Sequence, residues 1–396
     1  MSRKSKIKDV QKIRGRKKER KRRIKQWLRD VRRQYDAINI DLCAMNLEEI
    51  FKWVENINTK DKQTEEESTE GYIGRLLDRY FNELCNLNNP IKNDSNWNEL
   101  LSEIESLNNT IKDCLNLYAE AKIGDSIVKF HDILRTNSKL FSLEINPANK
   151  EDKNWYRMRM QDEENRVFEA KEMFHVPFNL RHKVSLARYS VSGYPCLYIS
   201  RSVWATWEEM HEPKLSDFTV SRLELQSPCV VLDLRVPVCD GCSDDQKLIK
   251  QLYTIPLVLA CSVKVKYPKD NFKSEYIIPQ LVMLAIAYKD VPFVGCAYTS
   301  TRRNPRFTWQ DVRLLDNIAL PVKMVSMEQK LCPKLRSYFK VSDSTNYDYE
   351  LLKKPYDNLF WNYADEGLNL KGAESYENSV FGQIERRLLE MEVKPL

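Results

Sequence analysis

An α+β fold is expected, a helical N-terminal domain followed by a mixed α/β domain, and three observations point to it. Residues up to about 140 carry apolar side chains at helical spacing almost without interruption. Near Phe141–Asn154 the texture changes, and short β-branched and aromatic runs begin to alternate with helix-length segments. The chain has 396 residues, enough for two or three domains and a substantial core.

The elements follow in order. Residues 1–33 lack Pro and hold only isolated apolar positions, among them Ile7, Val10, Ile24, Trp27 and Leu28, so an exposed helix is expected. Amphipathic helices are expected at Leu47–Val54, Tyr72–Leu87, Trp97–Tyr118 and Ile123–Arg135. The polar stretch Asn58–Glu70 reads as a loop, and Asn88–Asn96 as a turn-rich break around Pro90. Strands are expected at Trp155–Met160, Cys196–Ser200, Val230–Leu234, Gly295–Tyr298 and Leu320–Met324. Helices are expected at Val203–His211, Asp244–Cys261, Ser274–Ala287 and Ser379–Glu392. The division that results is a basic helical arm at 1–35, a helical domain at 36–145, an α/β domain at 146–345 and a C-terminal extension at 346–396.

Charge is unevenly spread. Residues 1–33 hold 17 Lys and Arg against three acids, a net +14, so with +6 overall the remaining chain stands at −8. Such an arm suits nucleic acid, an acidic partner or the acidic body of the same chain; a solvated helix without a ligand has the same composition. The longest apolar runs, Ile255–Val263 and Leu281–Tyr288, are too short to span a bilayer. No apolar segment of the secretory kind follows the basic N-terminus. The ten cysteines are scattered rather than framed for disulfides, so the expected compartment is a cytoplasm and no membrane partner is expected. Cys239-Asp-Gly-Cys242 has zinc-knuckle spacing, but no second pair completes four ligands, and no metal is expected. His175 and His182 fit no compact catalytic motif, and no Gly-rich or P-loop nucleotide motif occurs.

Three segments of the second half combine charge, aromatic rings and hydroxyls. In Asn154–Met160, Arg157 and Arg159 share one face of a strand, placed either to fork onto a phosphate or to pair with the acids at 162–164. In Gly193–Met210 a Gly-x-Pro turn leads into a strand bearing Tyr198, then into a helix that Ser200 or Ser202 can cap. Glu208 and Glu209 follow on that helix about 100° apart, so only one of them can face a cleft. In Glu275–Arg303 an apolar helix precedes a strand ending in Tyr298-Thr299-Ser300-Thr301-Arg302, where hydroxyls beside arginine suit sugar or phosphate.

In order, these segments resemble the RES domain, in the form that carries a helical, HEPN-like N-terminal region. The resemblance runs from Trp155 to Met324 through Tyr156-Arg157, His175–Phe178, Arg188-Tyr189-Ser190, Gly193-Tyr194-Pro195, Leu197-Tyr198, Glu275–Gln280 and Ser300. Counted without gaps from Tyr198, the family's glutamate falls on Glu209 rather than Glu208. The resemblance implies an ADP-ribosyltransferase-like fold and a toxin that consumes NAD as its substrate, acting as an NAD glycohydrolase, an NAD phosphorylase or an ADP-ribosyltransferase. It implies Arg157, Glu209 and Ser300 as the acting residues, with Tyr156, Arg188 and Tyr198 binding the dinucleotide. A cognate antitoxin is an implied partner. His131 lacks the preceding arginine of the HEPN ribonuclease pattern. The alternative is a non-enzymatic nucleic-acid or partner-binding protein that works through its basic arm.

Overall fold

The computed structural model describes residues 45–91, 97–161, 166–238, 244–288, 290–302, 312–323, 330–346 and 376–396. The basic arm, the Cys239–Cys242 pair and most of the segment after residue 346 lie outside them. Leu47–Leu396 makes one compact unit.

Four helices come first: α1 (Leu47–Glu55), α2 (Thr69–Asn86), α3 (Trp97–Ala119) and α4 (Ile123–Thr136). Each buries the apolar stripe that its sequence periodicity draws, such as Tyr72, Leu76, Leu77, Tyr80 and Leu84 on α2. Ser68 caps α2, its hydroxyl accepting the Gly71 N–H at 3.0 Å. Of these, α2 and α3 meet α6 (Asp245–Ser262), which is buried without a break from Leu252 to Cys261 and also touches the sheet. A helix apolar on every side belongs between layers. The Tyr80 hydroxyl ties the two together by donating to the Leu252 carbonyl at 2.7 Å.

The sheet has ten strands in the order β1-β5-β6-β7-β3-β2-β4-β8-β10, with β9 on the side of β4. They are β1 (Ser142–Ile145), β2 (Asn154–Met160), β3 (Cys196–Ser200), β4 (Phe218–Leu225), β5 (Cys229–Leu234), β6 (Cys296–Thr299), β7 (Asp316–Pro321), β8 (Phe339–Ser342), β9 (Thr345–Asn346) and β10 (Val393–Lys394). Only β5 and β6 pair in parallel; the other described pairs are antiparallel. The mixture of a helical N-terminal part and a mixed sheet is the α+β class that the sequence predicts. Side chains alternate between two cores: Trp155, Leu197, Ile199 and Leu223 on one face, Tyr156, Met158, Phe218 and Val220 on the other. Helices α5 (Val203–Glu209) and α9 (Val380–Glu390) cover the second face. α7 (Ile277–Ala287) and α8 (Pro333–Tyr338) complete the described helices of six residues or more.

Four of the expected strands match within one residue, and the fifth is displaced. Leu320–Met324 was the expected segment, whereas β7 begins four residues earlier, at Asp316. Asp316 and Asn317 are both buried there, held by partners that a hydropathy pattern does not register. Strands β1, β4, β8, β9 and β10 lie where no strand was expected, β4 because buried Arg222 interrupts its apolar alternation. No described helix is long and apolar enough to cross a membrane.

Candidate functional site

A cavity of about 1220 Å³ opens on the face of the sheet that carries α5. Its floor follows from strand register. Tyr156 stands opposite Ser200, Ser200 opposite Asn317, and Asn317 opposite Tyr298. Directly opposed residues share a face, so these four form one row across β2, β3, β7 and β6. Ser200, Asn317 and Tyr298 line the cavity. Tyr156, one strand further along, does not: it is buried with Val203, Trp204 and Phe381 beneath α5 and α9. Its assignment to dinucleotide binding is therefore not matched by its position.

Glu209 hangs over this row from the last turn of α5. Ser202 caps the helix, its hydroxyl accepting the Ala205 N–H at 2.9 Å. Glu208, one residue earlier, is buried, and its carboxylate accepts the Trp204 indole N–H at 2.8 Å. Both residues border the cavity, but the Glu208 carboxylate is engaged by Trp204, and the 100° step between them turns Glu209 toward Asn317. The Asn317 amide donates to Glu209 Oε1 at 3.2 Å, and Asn317 is itself bonded to the Ser200 hydroxyl. The Ser300 hydroxyl lies close enough to favour the ionised carboxylate, and the Arg302 guanidinium stands 3.6 Å from its Oε2. Burial raises the pKa of Glu209 above the ordinary carboxylate range, against the opposing pulls of Ser300, Arg302 and Arg188. The same carboxylate and its own burial hold the Tyr298 phenol well above its usual value.

Arg157 reaches the cavity from β2, where its Nη1 donates to the Tyr198 carbonyl at 3.2 Å. Its Nε is buried without a hydrogen-bond partner, and no carboxylate among the described residues pairs with it. Burial, then repulsion from Arg159, depress its pKa to about 10. An unmatched buried cation is costly, so an anion entering beside it would balance the charge. Arg159 is differently occupied, bonded to the Glu172 carbonyl at 3.1 Å and stacked 3.9 Å from the Phe168 ring.

Tyr198 lines the cavity and points its hydroxyl at Ser190, 3.1 Å away. The Tyr189 and Tyr298 rings stack beside it, centroids 4.4 Å apart. Arg188 also lines the cavity, but its donors are in use: Nη1 bonds the Cys261 and Val263 carbonyls at 2.9 Å each, and the guanidinium covers the Tyr276 ring at 5.0 Å. It holds the end of α6 while bordering the cavity, and its Nη2 reaches the Thr301 hydroxyl at 3.4 Å.

The Glu275–Gln280 motif works from behind. Glu275 is buried and accepts the Lys266 N–H at 2.8 Å, and Gln280 bonds the Ala187 and Ser190 carbonyls at 3.0 and 3.3 Å. The helix thus fixes both the turn that carries Arg188 and the loop after α6. His175 is structural: Nε2 accepts the Cys332 N–H at 2.9 Å, Nδ1 donates to the Val176 carbonyl at 2.8 Å, and burial depresses its pKa to about 4.

Arg157, Arg188, Tyr198 and Glu209, spread over 53 positions of the chain, thus share one cavity, and Ser300 touches it through Glu209. Sequence reasoning missed Asn317, Ser200, Tyr298, Lys264, Lys273 and His211. Of these, Tyr298 lies two residues before Ser300 in the segment already singled out. The rest carry no local signal, since sheet register and a distant loop bring them in.

A relative enters at this point. The chain is 27% identical over 310 residues to "Putative toxin YopC" of Bacillus subtilis (strain 168), a match covering 72% of this chain and 68% of that protein. No family model matches the chain. No solved structure matches it.

Around the mouth the lining turns cationic. Over the whole cavity the described lining holds six Lys and Arg and three glutamates, with Lys264, Lys273 and Arg302 among the cations. Arg302 contacts His211 at 2.7 Å, and His211 sits in the left-handed region, φ 64°, where α5 ends. Burial and Arg302 lower the His211 pKa, keeping the ring neutral. The arrangement offers a seated carboxylate and aromatic surface at one end, with positive charge around them.

Proposed function

We propose that this chain is a toxin-type enzyme of the RES kind that cleaves the bond between nicotinamide and ribose in NAD. One observation carries the reading: Glu209 is held by Asn317, with Ser300 beside it, in the same cavity as the unmatched Arg157 guanidinium. The likeness to a protein named as a toxin supports the toxin-type part. A cognate antitoxin belongs to the same proposal, and the +14 charge of residues 1–33 supports nucleic acid as a separate ligand of the arm.

The residues fit such a substrate. Arg157 borders the cavity with no carboxylate partner among the described residues, and a pyrophosphate beside its guanidinium would balance the charge. Tyr198 and Tyr298 offer ring faces to a flat nicotinamide. As the bond from C1′ to the nicotinamide nitrogen stretches, its electron pair leaves with nicotinamide and positive charge grows on the ribose. The ionised Glu209 carboxylate stabilises that charge. Asn317 fixes it beforehand and Ser300 lies beside it, so little reorganisation is needed. An acceptor oxygen, from water, inorganic phosphate or a protein side chain, then bonds to C1′ and releases its proton. Tyr156 has no part in this scheme beyond packing α5.

The test is to incubate the full chain with NAD and identify the products by mass. Nicotinamide is expected, together with ADP-ribose, its 1″-phosphate or a modified protein, according to the acceptor. Glu209→Gln should lower the rate by about 10³-fold or more while the circular dichroism spectrum stays that of the parent. Undiminished NAD loss in that variant rejects the role given to Glu209, and intact NAD with the parent rejects the activity.

A further inference from the structure

Helix α6 ends against the cavity, and its last carbonyls need partners, because a helix leaves its final C=O groups unpaired. They receive them from two distant parts of the chain. Arg188 takes the Cys261 and Val263 carbonyls. The Ser262 carbonyl between them accepts from the amide of Asn58, 204 positions away, at 2.8 Å. Asn58 turns its other atom to the same loop, Oδ1 accepting the Lys264 N–H at 2.8 Å. One side chain of the helical layer thus holds both sides of the point where α6 becomes loop.

The rest of the 263–273 loop is anchored to the same stretch. Lys266 Nζ donates to the Thr64 and Glu65 carbonyls at 2.9 and 2.6 Å. Just beyond the loop, the Thr69 and Ser274 hydroxyls meet at 2.6 Å. Lys264, Val265, Pro268 and Lys273 of this loop line the mouth of the cavity. The polar stretch Asn58–Glu70, expected to be a loop, begins in a short helix (Ile57–Lys60), enters α2 at Thr69 and is the fixture for that rim.

We propose that Asn58 is a positioning residue for anion binding: the helical layer, through Asn58, sets where Lys264 stands at the mouth of the cavity. The inference relies on the NAD reading only for the chemistry of the ligand, a pyrophosphate-bearing nucleotide. It gives the N-terminal helices a role in the site without any nuclease motif of their own.

The experiment measures calorimetric binding of ADP to the full chain, with NAD cleavage assayed separately. Asn58→Ala should weaken ADP about fivefold, and Lys264→Ala by a similar factor. Combined, the two should weaken it little more than either alone, because Asn58 acts through Lys264. Amide exchange at Lys264 should rise in Asn58→Ala, while the rest of the α6 core stays protected. If Asn58→Ala does not fold, Asn58→Asp replaces it. That variant keeps an acceptor for the Lys264 N–H but sets a carboxylate oxygen against the Ser262 carbonyl, and it should give the same non-additive loss. Unchanged ADP affinity in a folded Asn58 variant overturns the inference, as do fully additive losses or a parent that binds no ADP. ADP binding with this pattern but no NAD cleavage upholds the positioning role and rejects the NAD reading alone.

Discussion

The two ends of the cavity are built in opposite ways. The carboxylate end rests on the interior of a ten-stranded sheet, where Ser200, Asn317 and Tyr298 are fixed by register and buried. The cationic mouth rests on a loop whose lysine Lys264 is exposed, whose backbone is held by the side chains of Asn58 and Arg188, and whose Lys266 side chain donates to the Thr64 carbonyl. A group that must meet a developing charge gains from being preorganised. A group that attracts an anion needs only the right sign near the entrance. Substitutions at the first end should therefore appear in kcat, and at the second in KM and in salt dependence.

The largest effect after Glu209 itself is expected at Asn317. Asn317→Ala removes the amide donor from the Glu209 carboxylate and leaves the Ser200 hydroxyl without its partner. NAD turnover should fall about 100-fold, mostly in kcat. The pH profile makes the prediction sharper. Glu209 already stands above the ordinary carboxylate value, and activity needs it ionised, so the acid limb of kcat lies above that value and activity is lost as pH falls through it. A hydrogen bond to the charged form lowers a pKa, so its removal should move the acid limb to still higher pH. An unshifted limb in Asn317→Ala would mean that the carboxylate end is not tuned in this way.

How much of this could be read from the chain alone follows from the same contrast. Cys196–Ser200 and the helix after it were legible because β-branched and aromatic residues, a capping serine and a Gly-x-Pro turn lie next to one another. Gly193 does adopt the left-handed φ of 75° that such a turn asks for. The choice of Glu209 over Glu208 was legible from the helical step. β7 was misplaced because the residues that make it useful, Asp316 and Asn317, are polar and look like a loop. Asp316 is buried with Arg235 and Arg313 around it and with the Thr299 hydroxyl at 2.9 Å. Tyr156 carries the strand-opening motif beside Arg157 and shares the face of the cavity floor, but α5 and α9 close over it, a tertiary contact that no local pattern announces. Asn58 was invisible, since its partners lie 204 and 206 positions away.

A smaller effect is expected at the mouth. Lys264→Ala with Lys273→Ala should raise KM for NAD about tenfold and change kcat less than about twofold, because exposed charges steer and hold weakly. The KM of the parent should rise with salt, and that of the double variant should respond less. An equal loss in kcat would break the comparison, since the mouth would then be shaping the transition state as well.

The smallest effect concerns the support of the carboxylate end. Glu385 on α9 accepts the Val203 N–H at 2.8 Å, at the start of the helix that ends in Glu209, and also bonds the Tyr376 hydroxyl. Burial raises its pKa to about 7. Its folded value thus exceeds the unfolded one, so the associated stability is fully present below about 4.5 and is lost as pH rises through about 7. Glu385→Gln keeps an acceptor for Val203 and Tyr376 and removes the charge. It should melt with the parent at pH 4 and above it at pH 8, by about 2 kcal/mol or a few degrees in Tm. NAD turnover at pH 7 should stay within about twofold, because the N-terminus of α5 remains capped by Ser202 and the carboxylate end keeps its floor. A variant less stable than the parent at pH 8 would show that the ionised carboxylate, rather than its burial, secures α5 to α9.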